Sequence, residues 1–128
     1  IAALEDCLQL YPRPLLFGFD LTINEKFQNL TQDPEILWEG EKIISFLKPG
    51  HTKNLGIFYL NSQKALFTGD LIFQMGCGRL MGGTMEQHFN SLQSLRSFPA
   101  ETRIYCSHDY SEVNWRFVQK HCNPQYQP

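Results

Sequence analysis

Glu35-Ile36-Leu37-Trp38-Glu39-Gly40-Glu41-Lys42-Ile43-Ile44-Ser45-Phe46-Leu47-Lys48-Pro49-Gly50-His51-Thr52 reads as strand, tight turn, strand and second turn. Two apolar β-rich runs flank Glu39-Gly40-Glu41, a glycine-containing hairpin signal. Downstream, Gly56 to Leu60, the polar turn Asn61-Ser62-Gln63-Lys64, and Ala65-Leu66-Phe67 predict a second hairpin. Upstream, Ile1, Leu4 and Leu8 have helical spacing over residues 1 to 10, stopped by Pro12 and Pro14. Leu15-Leu16-Phe17 suits a short buried strand, and residues 18 to 34 read mostly as loop.

The second half changes rhythm. Gly76, Gly78, Gly82 and Gly83 predict a loop from 76 to 83, since glycine weakens regular elements. Thr84 then opens a helix, with Gln87 three residues later completing a capping box. Met85, Phe89, Leu92 and Leu95 are its expected buried stripe, ended by Pro99. Arg103-Ile104-Tyr105-Cys106 predicts a strand, and Ser111 is placed as the cap of a last helix through Lys120. Strand pairs followed by helices imply an α/β layered sandwich in which antiparallel pairs are prominent.

Composition narrows the function classes. The 128 residues are 42% hydrophobic and 13% aromatic, which excludes a disordered tail. With 11 basic against 13 acidic residues, bulk electrostatics does not favour nucleic acid. No apolar run approaches the roughly 18 to 20 residues of a membrane span. Cys7, Cys77, Cys106 and Cys122 lie in no C-x-x-C pair and read as reduced thiols in a cytoplasmic protein. A mitochondrial targeting segment upstream of Ile1 is compatible with the same sequence.

Three segments share one design, an apolar strand entering a tight turn that carries a metal-competent side chain. They run from Phe46 to Thr52, Leu66 to Asp70 and Ile104 to Tyr110, and carry His51, Asp70 and His108. Each has a bland reading: His after Pro-Gly is commonly a surface turn residue, and Asp after Thr-Gly commonly caps a turn. His108 beside Asp109 is equally consistent with a solvated polar pair. Together, two imidazoles and a carboxylate are expected to converge on one cation, with zinc, iron and manganese all suited to such donors. His88 and His121 are read without a site role.

From Pro49-Gly50-His51-Thr52 to Asn114 the chain resembles the metallo-β-lactamase fold, and within it the hydroxyacylglutathione hydrolase (glyoxalase II) family. The resemblance runs through Phe67-Thr68-Gly69-Asp70, Gly76-Cys77-Gly78-Arg79-Leu80-Met81-Gly82-Gly83-Thr84 and Tyr105-Cys106-Ser107-His108-Asp109-Tyr110. It implies an αββα sandwich, present here as the second half and part of the first. His51 would ligate one of two divalent metals, zinc foremost with iron or manganese as alternatives, and His108 the other. Asp70 would bridge them as the catalytic carboxylate. It further implies hydrolysis of the thioester S-lactoylglutathione to glutathione and lactate by a hydroxide held between the metals. Arg79 and Tyr110 match glutathione-contacting positions. Met81 stands where an aromatic residue is common, and its thioether donates no hydrogen bond.

The family's H-x-H-x-D-H motif is absent, and Ile1-Ala2-Ala3-Leu4 looks like the segment that follows it. The family's C-terminal helical glutathione-binding domain is likewise not represented. Residues 1–128 are therefore expected to be a partial, N-terminally truncated domain, inactive alone and with an open sheet edge that favours self-association. Two alternatives stand beside this reading. One is a mononuclear-iron persulfide dioxygenase, which shares the Gly-Cys-Gly-Arg and His-Asp-Tyr stretches but usually lacks the Gly83-Thr84 helix entry. The other is a non-catalytic remnant of the fold acting as an interaction module.

Overall fold

Glu39 and Gly40 have φ of 49° and 83°, the left-handed pair that a two-residue hairpin turn requires. They join two strands paired from Glu35↔Ile44 to Trp38↔Glu41. This hairpin starts the main sheet of the computed structural model, which describes residues 4–11, 14–19, 28–31, 34–122 and 125. In chain order the strands are β1 (Phe17–Gly18), β2 (Gln28–Asn29), β3 (Glu35–Trp38), β4 (Glu41–Leu47), β5 (Gly56–Leu60), β6 (Ala65–Gly69), β7 (Ile72–Phe73), β8 (Gly76–Cys77) and β9 (Arg103–Cys106). The helices are α1 (Leu4–Leu10), α2 (Met85–Ser94) and α3 (Ser111–His121).

The main sheet has the order β3-β4-β5-β6-β9. Its first four strands form an antiparallel meander, and β9 returns parallel to β6 after the crossover that contains α2. Both predicted hairpins are present. The β5–β6 turn is a short 3-10 segment over Asn61–Gln63, closed by Lys64 in the left-handed conformation.

One face of the sheet carries the core. Ile57, Tyr59, Leu66 and Leu71 are buried there, with Phe46, Leu55, Leu92, Leu95 and Phe98 packed against them. Phe98 meets Phe46 and Tyr59 edge-on, at ring separations of 5.5 and 5.0 Å. The opposite face is more open: Phe67 and Tyr105 stack at 5.2 Å, yet both remain over 40% exposed. At the sheet edge all four residues of β9 are exposed, and among the described residues β9 pairs with β6 alone. The expected apolar exposure is thus present.

Four expectations are corrected. Leu15 is exposed rather than buried, and only Phe17–Gly18 extend, in a two-residue parallel bridge to β2. The rest of the loop expected over 18 to 34 lies partly outside the described residues. Gly76–Cys77 is not loop but pairs antiparallel with β7. Helix α2 has the predicted capping box, and Leu92 and Leu95 of its expected stripe pack against the core, but Met85 and Phe89 are exposed while His88 and Ser91 are buried. The cause is what the helix docks on. Its inner face meets the Pro49-Gly50 backbone, where the Ser91 hydroxyl donates to Pro49 O (2.7 Å) and His88 lies over Gly50. Ser111 is the first helical residue rather than the cap; its N–H and hydroxyl both donate to Asp109 Oδ1. Those two bonds hold the Asp109 carboxyl below its ordinary range.

Candidate metal centre

His51 sits in the turn between β4 and β5, and the glycine-rich segment fixes it there. Met81 N–H donates to His51 O (2.7 Å) and Gly83 N–H to Gly50 O (3.2 Å). These backbones touch because side chains are absent: a Cβ on Gly83 would lie 2.6 Å from the N, Cα and O of Gly50. Gly78 plays the same part beside Asp70. Its N–H donates to Asp70 O (3.1 Å), and a Cβ there would stand 2.1 Å from that oxygen.

Asp70 follows β6, immediately after Gly69, whose φ of 53° turns the chain out of the sheet. The neighbouring β9 ends at Cys106, which brings His108 to the same end of the sheet. The His108 ring stacks on Tyr110 (5.4 Å) and meets Phe73 edge-on (6.0 Å). The three predicted ligands therefore do meet, with Asp70 in the middle. His51 Nε2 is 3.1 Å from Asp70 Oδ2, and His108 Nε2 is 3.5 Å from Asp70 Oδ1.

The expectation that all three converge on a single cation is not met. Among the described residues no three His, Cys, Asp or Glu side chains are placed to hold one metal ion. The reason is geometric. The carboxylate lies between the imidazoles and presents one oxygen to each, so it separates the two nitrogens.

The hydrogen bonding of His51 makes this arrangement chemically informative. Its Nδ1 lies 2.7 Å from Arg79 O. A carbonyl only accepts, so Nδ1 carries the hydrogen and Nε2 is the ring nitrogen left to face Asp70. It lies 3.1 Å from a carboxylate oxygen. Two acceptors at this distance repel unless a proton or a cation lies between them. The donor set thus fits a divalent metal, with the outer ring nitrogen tied to a carbonyl as metal-binding histidines commonly are.

A cleft of about 480 Å³ opens over these groups. Its walls include every residue predicted for the site, namely His51, Asp70, Arg79, Met81, His108 and Tyr110, together with Phe73, Cys77 and Asn114. Sequence reasoning missed Ser107, whose hydroxyl donates to Asp70 Oδ1. A hydroxyl preceding a candidate ligand was the available signal. It also missed His88, whose buried ring nitrogens have no partner among the described residues. Burial, and secondarily His51, push the His88 pKa down.

A family model described as the metallo-beta-lactamase superfamily matches residues 10–108, more than half of the chain. The chain belongs to this superfamily. Membership implies divalent metals, in accord with the donors at His51, Asp70 and His108. The chain is 36% identical over 121 residues to a hydroxyacylglutathione hydrolase of Bartonella tribocorum, covering 92% of this chain and 47% of that protein. It is 48% identical over 70 residues to the hydroxyacylglutathione hydrolase of Methylococcus capsulatus, covering 55% and 27% of the two chains. The chain thus spans about half the length, or less, of these curated relatives. Among solved structures, TTHA1623 in a di-iron-bound form superposes with a TM-score of 0.64 at 25% identity, over 83% of this chain and 62% of that one. The αββα-type superfamily fold expected from the sequence is thereby established for the part of the domain present. No described helix is long and apolar enough to cross a membrane.

Proposed function

We propose that this chain carries the dinuclear metal centre and part of the thiol-tripeptide cleft of a glutathione thioester hydrolase. The observation that carries the reading is the Asp70 carboxylate held between two imidazoles, with His51 Nε2 3.1 Å from one of its oxygens and His51 Nδ1 tied to a backbone carbonyl. The similarity to hydroxyacylglutathione hydrolases supports the substrate class. His51 and Asp70 would hold one metal, and Asp70 and His108 the second; zinc is the first candidate, with iron or manganese as alternatives. Bound metal supplies Lewis-acid polarisation of a thioester carbonyl and acidification of water.

The chain's own residues do the rest. Arg79 puts a permanent cation into the cleft, suited to a peptide carboxylate. Tyr110 offers a phenolic hydroxyl there, while Met81 adds an apolar wall that packs without hydrogen bonding. Asn114 is already committed, its Nδ2 donating to Gln74 O (2.8 Å). Exposed thiols at Cys77 and Cys106 are in keeping with a reducing, cytoplasmic setting.

Three protein donors, one of them shared, under-coordinate two divalent ions. Residues 1–128 alone are therefore expected to bind zinc weakly and to cleave S-lactoylglutathione negligibly. Calorimetric zinc titration, with glutathione binding followed by amide NMR shifts, tests both halves of the proposal. Weak zinc uptake abolished by Asp70→Asn, with glutathione shifts centred on Arg79 and Tyr110, is the expected result. Tight uptake of two zincs would refute the donor argument. Glutathione shifts remote from the cleft would refute the substrate class.

A further inference from the structure

We infer that Ser107 is a positioning residue of the metal centre, acting through Asp70. This inference rests on the metal reading proposed above. It begins with the unequal restraint of the three donors. His51 is pinned through Nδ1 to the Arg79 carbonyl, and His108 is held by its stack on Tyr110. An aspartate is looser, because rotation of its carboxylate about χ2 is broad and roughly two-fold. Something must choose the carboxylate plane that gives each imidazole its own oxygen.

Ser107 is the group placed to do so. Its N–H donates to Gly69 O at 3.3 Å, carrying the β6–β9 pairing one step beyond Cys106 and past the irregular register between Phe67 and Gly69. The backbone of Ser107 is thereby tied to the residue that directly precedes Asp70. From this anchor the hydroxyl donates to Asp70 Oδ1, and the direction is fixed because a carboxylate only accepts. Oδ1 is also the oxygen facing His108. One of its lone pairs is taken by Ser107, which leaves the other directed at the His108 side. Oδ2 keeps both of its own for the His51 side.

The role is one of orientation, so its signature lies in metal affinity and ligand field. Cobalt(II) binding, read by visible absorption, should be compared for the 128-residue chain, Ser107→Ala and Ser107→Thr, with thermal melts of the metal-free proteins alongside. Second-sphere losses typically weaken metal binding 10- to 100-fold, and the exposure of Ser107 places it at the lower end. Ser107→Ala should therefore bind cobalt about 10-fold more weakly with an altered absorption band, while its metal-free melting temperature stays unchanged. Ser107→Thr, which keeps the hydroxyl, should restore most of the affinity and the original band. Unchanged affinity and spectrum in Ser107→Ala overturn the role of Ser107 while leaving the metal centre standing. Affinity that falls only in step with the melting temperature, without rescue by threonine, overturns it too. A native chain that takes up no cobalt overturns the metal reading itself, and this inference with it.

Discussion

Replacing Gly50 with alanine tests the packing that holds the candidate centre together. The new Cβ would lie 2.2 Å from His88 Nδ1, 2.7 Å from His88 Cα and 2.8 Å from His88 Cβ. The imidazole can turn aside, but the Cα belongs to the backbone of α2. Gly50 also has φ of 154°, which alanine adopts with strain. Overpacking typically costs about 1–3 kcal/mol and an unfavourable backbone conformation about as much again. A loss of roughly 2–5 kcal/mol is expected, which for a domain of this size lowers the melting temperature by about 8–20 °C. Thermal unfolding followed by circular dichroism measures it. The double variant Gly50→Ala/His88→Ala sharpens the test, because removing the ring relieves only the nearest contact. It should recover less than half of the loss. A Gly50→Ala melt within about 2 °C of the parent, or full rescue by the double variant, would show that α2 does not bear on this turn as described.

Two further outcomes follow from α2. Thr84 accepts from Gln87 N–H at 3.1 Å, while Gln87 Oε1 accepts from Thr84 N–H at 2.9 Å. Thr84→Ala should cost about 1 kcal/mol, seen as a lower urea midpoint at constant slope, and an unchanged midpoint would deny the cap any energetic role. His88 is buried and its pKa lies below the ordinary histidine value, so between the two values the unfolded chain binds the extra proton. Stability should hold above about pH 6.5 and fall as the pH drops toward the folded-state pKa. Replacing His88 with leucine should flatten this dependence in urea titrations between about pH 7.5 and 5.5; a parent steeper in the opposite sense would reverse the assignment.

The sheet was readable because its signals are local. Glu39-Gly40 announces its own turn, apolar β-rich runs mark β4 and β5, and Thr84 with Gln87 writes the start of α2 within four residues. The facing of α2 was readable at Leu92 and Leu95, which pack against the core, but not in its first turns. Met85 and Phe89 are the greasier choice for burial, but the surface available to the helix is a glycine backbone that accepts His88 and Ser91 instead. The same division runs through the site. His51, Asp70 and His108 stand at strand ends, where rigid elements release their side chains, and that position is visible from pattern. The Arg79 carbonyl behind His51 and the Ser107 hydroxyl on Asp70 depend on contacts 28 and 37 residues apart. Only the parallel register of β6 and β9 and the path of the glycine segment create them. Leu15 failed for a simpler reason: an apolar run needs a surface to cover it, and the described structure gives it none.

The position of β9 has a consequence for how the centre comes apart. His51 and Asp70 hang from strands held on both sides, whereas His108 and Ser107 follow a strand that, among the described residues, is held on one side only. Peeling a single edge strand costs far less than unfolding the sheet, so amides of β9 should exchange with solvent earlier than those of β5 and β6. The centre is thus asymmetric in time as well as in space. Its His108 half works as the door, and the His51 half as the frame.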